Sequence, residues 1–182
     1  MYITKIIIII LGCVVFAVSQ QHSIETQWHV YSPTDKNFTI EFPSKPVCTT
    51  EKIDIQGSKI NLTKCLTNIS EKYFFEMKHM VYPFDLDKDS LSFMKIPITS
   101  VYEALDMKVT EIKVMSDSCE GIEIRANSAE GGPSSVQRLF VYGRNFYSIN
   151  LATEKSDSTF KNFHGRFLSS FQISKGCKSR RK

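Results

Sequence analysis

The stretch VCTTEKIDIQGSKINLTKCL, residues 47–66, restricts the fold more than any other part of the chain. Two alternating runs flank Gln56-Gly57, which reads as a two-residue hairpin turn. In that register, residues whose numbers sum to 113 face one another. Asp54 then meets Lys59 as a cross-strand charge pair, Ile53 meets Ile60, and Cys48 meets Cys65. The pair beside the turn, Ile55 and Ser58, is hydrogen-bonded, and pair types alternate outward from it. Cys48 and Cys65 therefore form a non-hydrogen-bonded pair, whose Cα atoms approach to about 4.5 Å, within disulfide reach. A Cys48–Cys65 bond is expected, stabilising by about 3 kcal/mol. The alternation puts Ile53, Ile55, Ile60, Leu62 and Leu66 on one face. Thr50, Lys52, Asp54, Lys59, Asn61 and Thr63 share the other with the cysteines, so the disulfide is expected on the solvated face.

A cross-strand disulfide needs an oxidising compartment, and the N-terminus agrees. Lys5 precedes an almost wholly apolar run from Ile6 to Val18, and Ala17-Val18-Ser19 places small residues where a signal peptidase reads. We read residues 1–19 as a secretory signal cleaved near Ser19. The run of 13 residues is too short to span a bilayer of roughly 30 Å as a helix. A lipoprotein reading would cut before Cys13, but it leaves apolar Val14 to Val18 on the mature end. Export gives a secreted or periplasmic location.

The chain has 23 basic and 19 acidic residues. Without Lys5 there are 22 basic residues, and five of them fall in the last eight positions: Lys175, Lys178, Arg180, Arg181 and Lys182. The body thus carries 17 basic against 19 acidic residues. A nucleic-acid reader would set its charge on the folded surface, so no nucleic-acid partner is expected. Residues 175–182 read as a solvated basic tail.

Beyond Cys13 stand Cys48, Cys65, Cys119 and Cys177, an even set with three possible connectivities. The hairpin selects Cys48–Cys65 and leaves Cys119–Cys177 by elimination. There is no C-x-x-C, so neither a redox dithiol nor a zinc ribbon is indicated. Three N-x-S/T sequons, at Asn37, Asn61 and Asn68, would accept glycans in a eukaryotic secreted protein.

The rest of the chain alternates strands with two helical stretches. Trp28 to Tyr31 is a short apolar stretch. NFTIEF turns Phe38, Ile40 and Phe42 inward and stops at Pro43; Pro43 and Pro46 cannot donate ladder hydrogen bonds. FPSKP is therefore a connector. EKYFFEMKHMVY, 71–82, is a long strand. From Asp89 to Lys108 the period becomes helical, with Asp89 as a cap, Pro97 as a break or a start, and Ile98, Val101, Tyr102 and Leu105 on one face. VTEIKVM and CEGIEIRANSA read as strands, GGPSS (131–135) as a loop. VQRLFVYGRNFYSINLAT reads as a hairpin turning at Gly143-Arg144-Asn145. In DSTFKNFHGRFLSSF, Phe160, Phe163, Phe167, Leu168 and Phe171 form one helical stripe capped by Ser156 or Asp157. Residues 20–174 thus form one α+β domain, a twisted antiparallel β-sheet flanked by helices.

Chemistry is sparse. His22, His29, His79 and His164 show no metal-ligand spacing, and His164 reads as a helix-surface residue. Asp85, Asp87 and Asp89 alternate as calcium ligands do, but Ser90 and Ile96 stand where an EF-hand needs Gly and Glu. No nucleophile elbow or phosphate-cradling glycine loop occurs. Neither cofactor nor catalytic residue is expected, and a hydrolase would need a His, a Ser and an acid brought together by folding.

Trp28, FTIEFPSKP, the strand ending in VYPFD, CEGIEIRA, RLFVYGRNFYSINLAT and FHGRFLSSFQI follow in an order that resembles small exported bacterial domains. Those domains are similar to the PsbP fold of a photosystem II extrinsic subunit and of a Ran-binding nuclear import factor. The resemblance spans about residues 28–173 and rests on apolar and turn positions. It implies an αβα sandwich and protein binding without catalysis; the photosynthetic and nuclear roles do not carry over. The expected function is a non-enzymatic, protein-binding or assembly-accessory domain, with a partner in the envelope or extracellular space. The alternative is a carrier of a small apolar or amphipathic ligand between the sheet and the Phe-rich helix.

Overall fold

The computed structural model describes residues 26–55, 57–115, 121–128, 132–174 and 177–178. Its strands run β1 (His29–Tyr31), β2 (Phe38–Phe42), β3 (Val47–Ile55), β4 (Ser58–Ile69), β5 (Tyr73–Val81), β6 (Lys108–Met115), β7 (Gly121–Asn127), β8 (Ser134–Tyr142), β9 (Asn145–Thr153), β10 (Gln172–Ile173) and β11 (Cys177–Lys178). Helix α1 (Lys88–Ala104) separates β5 from β6, and α2 (Ser158–Ser170) separates β9 from β10.

A seven-stranded sheet of order β3-β4-β5-β9-β8-β7-β6 is the central layer. Its ladders are all antiparallel. Helix α1 packs on one face, over β6, β7 and β8. Helix α2 packs between β9 and β2, so the other face is covered by α2 and the small sheet β1-β2-β10-β11. The α+β class expected from the sequence is the observed one.

Period-two alternation decides which side chain serves which layer. Phe38, Ile40 and Phe42 are fully buried and stitch the small sheet to the large one. The stripe Phe160, Phe163, Phe167, Leu168 and Phe171 is buried too. Phe167 lies 5.3 Å from Phe42 and 5.1 Å from Phe75, centroid to centroid. Asp157 starts α2 by accepting from Phe160 N at 2.9 Å, and it also accepts from Lys72 Nζ and Tyr73 Oη. The Lys72 contact, and then the helix amide, pull the Asp157 carboxyl down to about 2.

The β3–β4 hairpin has the expected register, Ile55 opposite Ser58 through Cys48 opposite Cys65. Cys48 and Cys65 are bonded, their Cα atoms 4.1 Å apart. The expectation of a solvated disulfide fails at one end: Cys48 is exposed, but Cys65 is fully buried. The cysteine face is covered at the base of the hairpin and open further out, where Asn61 is exposed. The cysteine face, carried by Cys65, Met77 and Ile149 across β4, β5 and β9, is the floor beneath α2.

Other boundaries shift for local reasons. Asp87, not Asp89, caps α1, through a capping box in which Asp87 Oδ1 accepts from Ser90 N at 3.0 Å and Ser90 Oγ bonds Asp87 N. The helix runs through Pro97 instead of breaking there. One missing backbone bond is outweighed when buried Leu91 and Tyr102 anchor the helix on either side. Leu105 leaves the apolar face as the C-cap and is 55% exposed. The second hairpin turns on two residues, because Tyr142 pairs with Asn145. Gly143 takes φ +54°, and the turn carbonyls of Gly143 and Arg144 accept from Leu86 N and Tyr82 N. Ser134 and Ser135 belong to β8 rather than to a loop, and part of the basic tail, Cys177–Lys178, pairs with β10.

Gly121 marks a close approach. A Cβ there would lie 2.7 Å from the Phe140 ring and 2.8 Å from the Leu139 carbonyl oxygen. Phe140 cannot retreat, since it stacks on Phe171 at 5.2 Å. Gly121→Ala is expected to cost about 1–3 kcal/mol by chemical denaturation. A change below about 0.5 kcal/mol would mean that the strand can shift freely.

Candidate functional site

Most inward positions of the sheet are apolar, but the face beneath α1 carries a polar strip. Glu76 on β5 lies opposite Asn150 on β9, which lies opposite Gln137 on β8. Ser135 and Ser148 occupy neighbouring positions on the same face. Tyr102, projecting from α1, completes the chain: its hydroxyl lies 2.9 Å from Ser135 Oγ and donates to Gln137 Oε1 at 3.1 Å. Ser135 Oγ donates to Asn150 Oδ1 at 2.7 Å, and Gln137 Nε2 to Ser148 Oγ at 2.8 Å. The groups bonded to one another here are neutral. Burial raises the Tyr102 phenol, so it stays protonated as a donor. Such a strip fixes the seat of α1; it supplies no activated nucleophile.

The strip continues into charge where α1 no longer covers the sheet. Lys64 and Lys78 are directly opposite one another, a repulsive cross-strand pair if left alone. Glu76 relieves it, with Oε1 3.5 Å from Lys64 Nζ and Oε2 2.9 Å from Lys78 Nζ. One buried carboxylate between two half-buried ammonium groups leaves one net positive charge. Around it on the same face stand half-buried Leu66 and Phe74 and the 73% exposed Val47. A charged centre with an apolar surround is a surface suited to a partner.

The other face holds two buried clusters. His79 Nε2 donates to Asn145 Oδ1 at 2.8 Å, and the ring stacks on Tyr147 at 4.8 Å and meets Phe38 edge-on at 5.3 Å. Burial holds its imidazole below the usual value. Glu123 on β7 accepts from Arg138 Nε at 2.7 Å and from Arg125 at 2.6 Å, while Arg138 also donates to the Leu168 carbonyl near the end of α2. His164 is not the surface residue expected. The residue is half-buried beside the Phe stripe, and its buried Nε2 has no hydrogen-bond partner among the described residues. Sequence reading misses Glu76 and Glu123 and the burial of His79; a polar residue at an inward parity within a long strand is the available signal.

Of the remaining sequence candidates, Asn61 and Asn68 are both exposed, Asn61 on the hairpin and Asn68 near the end of β4. Asn37 is half-buried and its amide donates to Asp35 Oδ2 at 2.8 Å. Cys177 lies opposite Ile173, whereas Cys13, Ser19 and Cys119 fall outside the described residues. Asp87 spends its carboxylate on the α1 cap.

No family model and no curated protein matches the chain. Among solved structures it is similar to the solution structure of cyanobacterial PsbP (CyanoP) from Synechocystis sp. PCC 6803. The TM-score is 0.55 over 86% of this chain and 98% of that one, at 14% identity. The fold is PsbP-like. At that identity the likeness speaks to architecture: a central antiparallel sheet with helices on both faces. Among the described residues, no helix is long and apolar enough to cross a membrane.

Proposed function

We propose that this PsbP-like chain is a non-enzymatic, exported accessory domain that binds another protein through the uncovered half of its α1 face. One observation carries the reading: Lys64, Glu76 and Lys78 form a charged centre ringed by Leu66, Phe74 and exposed Val47, on a sheet whose other face is closed by rings. The carrier alternative has less support, since the space between α2 and the sheet is filled by the chain's own aromatics. Phe163 alone meets Trp28, Tyr73 and Phe75 at centroid distances of 6.1, 5.1 and 5.2 Å. Export rests on the signal-like N-terminus, and a Cys48–Cys65 disulfide fits an extracellular or periplasmic site.

A photo-crosslinking residue at Val47, in the native host, is expected to give one discrete adduct with another protein that Lys64→Glu and Lys78→Glu each abolish. Adducts that persist in both variants, or none at all, would overturn the reading. For the remaining thiols, the proposed Cys119–Cys177 bond is expected as one joined peptide in a non-reducing digest of the exported protein. Free thiols at both positions, or a peptide joining Cys177 to Cys48, would refute it.

A further inference from the structure

The seven-stranded sheet ends at β6, which among the described residues pairs with β7 alone. Its outer edge carries Glu111-Ile112-Lys113-Val114, with Ile112 37% and Val114 74% exposed. The charges behind this edge are ordered. Lys113 lies opposite Glu123, which lies opposite Arg138; in the next row Glu111 lies opposite Arg125 and contacts it at 3.1 Å. Signs therefore alternate from strand to strand across the sheet.

We infer that β6 pairs with β6 of a second copy, antiparallel, about a two-fold axis normal to the sheet at Ile112. Partners in this register sum to 224, since Ile112 faces itself. Glu111 of each copy then faces Lys113 of the other, and Thr110 faces Val114. The alternation runs on without a break: Arg138, Glu123 and Lys113 of one copy are followed by Glu111 of its partner. On the opposite face Ile112 covers Ile112, and both copies withdraw Val114 from water. Shifting the axis by one residue toward either end sets Glu111 against Glu111 or Lys113 against Lys113, so the charges choose the register. The bulge between Val109 and Glu111 ends the regular edge and confines the contact to a short ladder. The result is a concentration-dependent dimer of modest area.

The opposite edge, β3, has a comparable run in Lys52-Ile53-Asp54. There Asp54 Oδ1 already accepts from the turn amide of Gly57 at 2.8 Å and Asp54 faces Lys59, and the strand ends at Ile55. We therefore assign the contact to β6. The assignment is independent of the partner surface around Glu76.

The test is sedimentation equilibrium of the full chain over a concentration series. Wild type is expected to dimerise, and Glu111→Lys and Lys113→Glu are each expected to raise the dissociation constant about tenfold or more. Mixing the two variants restores association, because the Glu111→Lys chain then presents two cations along this edge and the Lys113→Glu chain presents two anions. Association of both wild type and mixture, but of neither variant alone, is the pattern of Glu111 meeting Lys113 across the edge, and the rescue also controls against misfolding. A wild type monomeric at millimolar concentration would overturn the inference. So would variants that dimerise like wild type, a mixture that fails to associate, or a dimer abolished instead by Lys52→Glu.

Discussion

Replacing Phe167 by alanine is expected to cost this domain about 3–5 kcal/mol, the largest loss from any single truncation of α2. Phe167 is fully buried where three layers converge. Its ring meets Phe75 of the large sheet nearly edge-on, at 88°, and Phe42 of the small sheet at 57°. Neither neighbour can close the void cheaply. Phe75 is held against Phe163 at 5.2 Å, and Phe42 sits on a strand bonded on both sides by β1 and β10. A residual cavity therefore adds to the lost transfer energy. In urea the midpoint should fall with little change in slope. Phe160, near the start of the helix and 6% exposed, should cost less on truncation because water can reach the gap. A Phe167→Ala loss under about 1 kcal/mol would show that α2 collapses freely onto the sheet, contrary to the ring geometry.

The parts of this arrangement legible in the sequence are those set by strict local periods. The sum rule for the β3–β4 hairpin follows from one turn dipeptide and two alternating runs, so the Cys48–Cys65 juxtaposition can be derived. The Phe stripe of α2 likewise needs only the helical period and a capping Asp157. What sequence does not supply is how many layers lie above each face. Cys65 shares its parity with exposed Asn61, and nothing local says that the small sheet and α2 cover one end of the strand and leave the other wet. The same gap hides Glu76, Glu123 and His79. A glutamate within YFFEMKHMV is buried only because Lys64 on the next strand and Lys78 further along its own both reach it. A break at Pro97 is what a local rule gives at a position where tertiary anchors decide. The candidate surface is illegible for a related reason: it is defined by where α1 stops, which depends on the route of the helix across β6 to β8.

The second large effect concerns Glu123, and it has a pH signature. The residue is 4% exposed. Burial alone would raise its affinity for a proton, but Arg138 and then Arg125 more than offset this, and the group is held below its ordinary value. A folded-state value below the unfolded one means stability that is fully present above the unfolded carboxyl range, about pH 4.3, and is lost as pH falls through the folded value. Glu123→Ala removes the anion and leaves Arg138, among the described residues, with only the Leu168 carbonyl as partner, in a side chain 14% exposed. The expected cost is about 3–5 kcal/mol at pH 7, because an uncompensated buried cation remains. Two further results separate this from simple cavity formation. The variant should lose part of the decline in stability that wild type shows on acidification below about pH 4.3. The double variant Glu123→Leu/Arg138→Met should recover much of the loss at neutral pH, since both charges leave together, although the Leu168 carbonyl then lacks its donor. If the double variant proved as unstable as the two single losses added, the pair would be acting through volume rather than charge, and the electrostatic account of how β7, β8 and α2 are joined would fail.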